Sequence, residues 1–371
     1  MSEYVMPNGQ SFDDPIPPVN NNTEYELKRK IKKSYNWAGG VMLLQFAIAL
    51  AVQFAIQIPY EMILTMQYMS EHASEELDMQ ALMAWLMPHF QDGFYLILVN
   101  TIVYLVANLA SFFIGKKVSK KLFPAKLFNK GKLKTADCAL CVAAVVGLQG
   151  ISILVQTAMM AITQTSAVNE NMAAMMSFSD NVLKNVIMVI YFVFIAAITE
   201  ELLCRGIMMK FLSPVSVNFA LIASSVMFGL MHGNFAQIFN GALLGLVLGY
   251  AAMKSGSVKL SILCHIAANT NAMLLATIEY LLPEQAMTIE LIYAVILAVT
   301  AIISIIALLK RNGWVNENDG YEGLEKLEIT PEKKKELTWK LLLKSPTFWI
   351  FTAIYIGTAI IMLTPLANMG A

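Results

Sequence analysis

Nine apolar runs recur along the chain, at about 35–58, 94–115, 137–162, 182–203, 215–232, 235–253, 260–278, 291–309 and 347–367, each followed by a short polar stretch. Every run approaches the roughly 20 residues that a helix needs to cross the hydrocarbon core of a bilayer. The pattern predicts an all-α, polytopic membrane helix bundle of nine transmembrane helices. A polar tail, residues 1–34, precedes the first run, so no cleavable signal peptide is expected. Between the first two spans, Leu77, Leu82, Trp85 and Leu86 in the segment 74–90 are spaced as on an amphipathic interfacial helix. After the eighth span, 313–344 reads as a charged connector in which Thr330-Pro331 starts a helix.

Charge gives the bundle a direction. Of 26 basic residues, all but Lys184 fall in the tail or in alternate connections, among them eight lysines from Lys116 to Lys134. By the positive-inside rule that end faces the cytoplasm, with the N-terminus inside and the C-terminus outside. The first outer connection carries Glu61, Glu71, Glu75, Glu76, Asp78 and Asp92 and no lysine. Composition agrees: 57% of the chain is hydrophobic and 14% charged, against about 25% charge in soluble domains. That excludes a soluble globule, a disordered chain and a nucleic-acid binder. Four cysteines in 371 residues suggest no disulfide framework, and Cys138-Ala-Leu-Cys141 heads an apolar span as a chance C-x-x-C.

The exceptions to the apolar pattern lie between residues 199 and 269, and charge inside a bilayer is costly enough to imply a function. Glu201 and Arg205 stand four apart on one helix face, acid before base, and pair favourably. Glu200 is turned about 100° away and is left free. Phe228 and His232 share a face, with Phe228 walling one side of the imidazole; His265 and Asn269 share another, so that a ring and an amide point at one centre. Gly229, Gly233, Gly241, Gly245 and Gly249 repeat at small-xxx-small spacing and read as helix packing. Depth sets a condition. His232 is too far along its span to meet Glu200 unless that helix tilts strongly or begins below the bilayer, near Ser213-Pro214.

A glutamate in low dielectric is a competent base near neutral pH. Beside His232 it can deprotonate a water for attack on a carbonyl, while His265 and Asn269 donate to the developing oxyanion. The same Glu200, His232 and His265 match the donor count of a catalytic zinc site, and the sequence leaves both readings open. It lacks H-E-x-x-H and the G-x-S-x-G elbow of serine hydrolases.

Taken together, Glu200-Glu201-x-x-x-Arg205, Phe228-x-x-x-His232 and His265-x-x-x-Asn269 resemble the CPBP (CAAX protease and bacteriocin-processing, or Abi) intramembrane proteases, which include the type II CAAX prenyl endopeptidases. The resemblance covers about 182–278, a CPBP-type core between the N-terminal spans (35–181) and the C-terminal ones (279–371). It implies that Glu200 and His232 activate water, that His265 and Asn269 form the oxyanion hole, and that Glu201 and Arg205 support them. It further implies a multi-pass cell-membrane enzyme acting on a membrane-associated peptide or protein, lipidated ones included, by a glutamate-type or metal-dependent mechanism. Two other classes fit the residues: an immunity or scaffold protein of the same fold that binds without cutting, and a proton-coupled transporter, which the lack of repeated halves disfavours.

Overall fold

A computed structural model describes residues 21–73, 77–163, 175–324, 327 and 329–361. The elements among them are helical: α1 (Asn21–Glu71), α2 (Met79–Gln91), α3 (Gly93–Leu122), α4 (Thr135–Thr163), α5 (Val182–Leu212), α6 (Val217–Leu230), α7 (Phe235–Ser255), α8 (Val258–Leu281), α9 (Pro283–Asn312), α10 (Pro331–Leu337), α11 (Trp339–Leu342) and α12 (Pro346–Ile361). Seven of these, α1, α3, α4, α5, α7, α8 and α9, are long and apolar enough to cross a membrane, while α6 and α12 are shorter apolar helices. The protein is a multi-pass membrane helix bundle.

Three boundaries depart from the pattern reading. The first helix extends beyond 35–58 in both directions, and its 51 residues make it about 76 Å long. The supposed tail therefore contributes to the core: Ile31 and Ser34 are buried, Ser34 donates to the Phe211 carbonyl, and at the head of the predicted span the Tyr35 hydroxyl donates to that of Leu337. Glu61 and Glu71 lie on this helix rather than in a loop, Asp78 and Asp92 cap α2 and α3, and Glu75 and Glu76 lie outside the described residues. The amphipathic segment is α2, but its Leu82 and Leu86 are covered by Leu64 and Tyr68 of α1 instead of facing lipid. The fifth helix covers 14 residues rather than 18, about 21 Å, too short for the hydrocarbon core. The C-terminal end of the 347–367 run lies outside the described residues.

Helix α6 is short because the connector after α9 covers its start. Ser216 caps the helix by accepting from Phe219 N–H, and Glu317 accepts from both the Ser216 hydroxyl and Val217 N–H at 2.9 Å. Val315, Tyr321, Leu324, Leu337 and Leu342 are buried, Lys254 pairs with Asp319, and Leu327 N–H donates to the Pro214 carbonyl. The 313–344 segment is thus a packed cap on the lysine-rich end of the bundle, not a simple linker. Thr330 and Pro331 do begin a helix there, α10.

Burial alone pushes the Glu317 carboxyl upward, but Lys334 and the hydrogen bonds from Val217 and Ser216 more than offset it and hold the group below the usual carboxylate range. A carboxyl depressed on folding contributes stability that is present above its unfolded value, about 4.3, and is lost as pH falls through the lower folded value. Glu317→Gln is expected to cost about 2 kcal/mol at neutral pH and to remove this acid-dependent component. Thermal unfolding of the detergent-solubilised protein between pH 3 and 7 measures both effects.

Helices α6 and α7 form a tight antiparallel pair. A Cβ on Gly229 would come within 2.2 Å of the Ile238 carbonyl oxygen, and one on Gly241 within 3.0 Å of the Gly229 Cα. Both glycines are therefore required by backbone approach, as the small-residue spacing anticipates.

Candidate active site

The two glutamates sit on α5, and that helix is not uniform. Wide, π-helical turns occupy Ile190–Ala196 and Cys204–Met208 and bracket the α-helical segment Ala197–Leu203. Such turns break the regular i to i−4 ladder and recur at functional sites, and the backbone groups they displace need other partners. Asn269 on α8 donates from Nδ2 to the Phe192 carbonyl at 2.7 Å, and the buried Tyr321 hydroxyl of the connector donates to the Arg205 carbonyl at 2.8 Å. One contact fixes each wide turn. Between them, Asn108 of α3 donates to the Thr199 hydroxyl at 2.8 Å, beside Glu200.

The side chains on this framework are buried: Glu200 is 6% exposed, Glu201 0%, Arg205 1%, His265 5% and Phe228 1%. Arg205 Nη1 donates to Glu201 Oε1 at 2.7 Å, and Nη2 to the Gly245 carbonyl of α7 at 3.2 Å. His265 Nδ1 lies 3.0 Å from the same Glu201 oxygen. Arg205 and the His265 ring thus meet at one carboxylate oxygen, and the tautomer with its proton on Nδ1 makes that contact a hydrogen bond. Nε2 points at Glu200 Oε2, 4.0 Å away, a gap too long for a direct hydrogen bond. His265 thereby stands between the two glutamates: one is tied to an arginine and the other makes no hydrogen bond to it.

His232 reaches the cluster differently. It follows the last turn of α6, and the next residue, Gly233, adopts φ +59°, a left-handed conformation that glycine takes without strain. Its Nδ1 bonds the Phe228 carbonyl at 2.9 Å, and among the described residues Nε2 has no hydrogen-bond partner. The Phe228 ring is shared, edge to face, by His232 at 5.2 Å and His265 at 5.9 Å between centroids, and the Arg205 guanidinium lies 4.1 Å from its centre. His232 and Glu200 do not come within ion-pair distance of each other; Phe228 is the wall that joins them to one cluster.

His232 lies 15 residues beyond Val217, about 22 Å along the axis, against about 15 Å from Glu200 to Lys210, and its contact with the cluster runs through the Phe228 ring. Two details differ from the sequence reading. Lys210, one of the basic residues counted in the inner connections, is 2% exposed and donates to the Ser119 hydroxyl. The Asn269 amide has a contact that spacing does not reveal, to the Phe192 carbonyl of α5. Asn108, Thr199 and Tyr321 were not singled out. Asn108 carried a signal, a polar residue inside an apolar run, whereas Tyr321 lies in a polar connector and carried none.

The donor types suit zinc, with two imidazoles whose Nδ1 atoms are fixed by other partners, as is common behind metal ligands. Their placement does not: among the described residues no three His, Cys, Asp or Glu side chains converge on a point that a single ion could occupy.

No match was found among curated proteins or solved structures. Residues 182–271, which hold every site residue named above except Asn108 and Tyr321, match the family model described as type II CAAX prenyl endopeptidase Rce1-like, a match over about a quarter of the chain that is consistent with a CPBP-family protease.

Proposed function

We propose that the protein is an intramembrane endopeptidase in which Glu200 is the general base. The observation that carries the reading is the Glu200–His265–Glu201–Arg205 series, in which one buried carboxylate is neutralised by an arginine and the other is left available 4.0 Å from an imidazole nitrogen. A water bonded to Glu200 Oε2 and His265 Nε2 at ordinary distances would subtend about 90°. Glu200 takes one of its protons, the hydroxide adds to the scissile carbonyl carbon, and the C–N bond breaks as that proton is delivered to the leaving amine. His232, whose Nε2 has no hydrogen-bond partner among the described residues, assists activation of the water, as the family resemblance implies.

The same resemblance assigns His265 and Asn269 to the oxyanion hole. Asn269 retains one N–H beyond its bond to Phe192, so positioning α5 and donating to substrate are compatible roles for its amide. Glu201, Arg205 and Phe228 hold the imidazoles in place. The substrate class is a peptide or protein at the membrane, and the match to the prenyl endopeptidase family favours a prenylated C-terminus.

Incubation of the purified protein with peptides ending in a prenylated cysteine and three further residues, read by mass spectrometry, tests the function. We expect release of the terminal tripeptide and retention of that activity after chelator treatment. His232→Ala is expected to lower the rate by about 10²-fold or more. Binding without cleavage across prenylated and unprenylated peptides would favour the scaffold reading instead.

A further inference from the structure

A second built feature lies at the lysine-rich end, away from the glutamates. Lys33 and Trp37 of α1, one turn apart, face Lys117, Val118, Lys121 and Leu122 of α3 across a groove of about 270 Å³. Lys117 and Lys121 are themselves one turn apart, a spacing at which like charges repel. Three cations thus converge, and among the described residues none of the three has a carboxylate within ion-pair distance. Glu24 and Glu26, nearby in sequence, are engaged with Lys28, Lys333 and Arg29, and Glu322 is engaged with Lys126. The proposed active site has no part in this arrangement.

We propose that this groove binds the phosphate-bearing headgroup of an anionic membrane lipid. Basic pockets between spanning helices are suited to such headgroups, and lysine supplies the phosphate with a compact point charge. The rest of the lining separates a lipid from a soluble phosphate ester. Trp37, Val118 and Leu122 give the groove an apolar wall, and Trp37 is fixed by stacking on Phe211 at 6.5 Å. One turn from Lys117 the surface of α3 continues as Phe113 and Ile114, 59% and 42% exposed, an apolar track for an acyl chain. Tryptophan and lysine together are also the pair expected at the level of the headgroups.

Native mass spectrometry of the full-length protein with equal amounts of phosphatidylglycerol and phosphatidylcholine tests the site. The wild type is expected to retain phosphatidylglycerol selectively. In the triple variant Lys33→Gln, Lys117→Gln, Lys121→Gln that preference falls about a hundredfold, with Lys117→Gln alone intermediate. Lys130→Gln, Lys132→Gln, Lys134→Gln, which removes as much charge from the following connection, retains it. Because the three groove lysines are exposed, the triple variant is expected to keep its unfolding midpoint in lipid-free detergent. Equal retention of the two lipids, an unaffected triple variant, or an equal loss in the control variant would overturn the proposal. So would displacement of the lipid by glycerol 3-phosphate at comparable concentration, which would assign the groove to a soluble phosphate ester.

Discussion

Glu200→Gln is expected to reduce peptide cleavage by about 10²–10⁴-fold while leaving the unfolding midpoint of the purified protein within a few degrees of wild type. The substitution keeps the size and hydrogen-bonding reach of the side chain and removes only its capacity to take a proton. Structural tolerance follows from the surroundings. Among the described residues Glu200 has one contact at ion-pair range, His265 Nε2 at 4.0 Å, so an amide there breaks no anchored network. Glu201→Gln is the informative contrast. That carboxylate holds both Arg205 and His265, and its loss is expected to lower stability and activity together. If Glu200→Gln retained the wild-type rate, the proposed base would be wrong. If it unfolded the protein, Glu200 would be holding the structure in a way that its contacts do not indicate.

What made this site legible beforehand was scarcity. In a bundle so poor in charge, Glu200, Glu201, Arg205, His232 and His265 stood out against apolar neighbours, and helical spacing alone set Glu201 against Arg205. The same spacing misjudged what lies beyond a single helix. It could set Asn269 one turn from His265 but not supply the Phe192 carbonyl that a wide turn of α5 exposes to it, because a π-helical turn leaves no mark in hydropathy. Span lengths failed for a related reason. Hydropathy counts apolar residues and cannot tell whether lipid or protein covers them, so α6, whose start is sealed by Glu317 and the connector, looked like a full crossing. The polar tail before the first span and the charged connector before the last likewise lie outside the predicted spans, although Ile31 of one and Leu337 of the other are buried.

Arg205→Met should be the most damaging single change to stability, at about 3–5 kcal/mol. The guanidinium is 1% exposed and has three buried partners: Glu201 Oε1 at 2.7 Å, the Gly245 carbonyl at 3.2 Å and the Phe228 ring at 4.1 Å. Methionine fills much of the space but strips the buried Glu201 carboxylate of its arginine and leaves it His265 Nδ1 alone, and losing that counter-ion is the expensive part of breaking such a pair. The prediction is therefore not additive with a second change. Arg205→Met combined with Glu201→Gln is expected to be more stable than Arg205→Met alone, because the orphaned charge is gone. Activity should not recover in parallel, since Glu201 no longer holds His265 as an ionised acceptor. Thermal unfolding of the two single variants and the double variant in detergent, with cleavage measured on the same preparations, separates the two consequences. A double variant as unstable as the two losses added together would show that Arg205 acts through Gly245 and Phe228, and that its pairing with Glu201 contributes little.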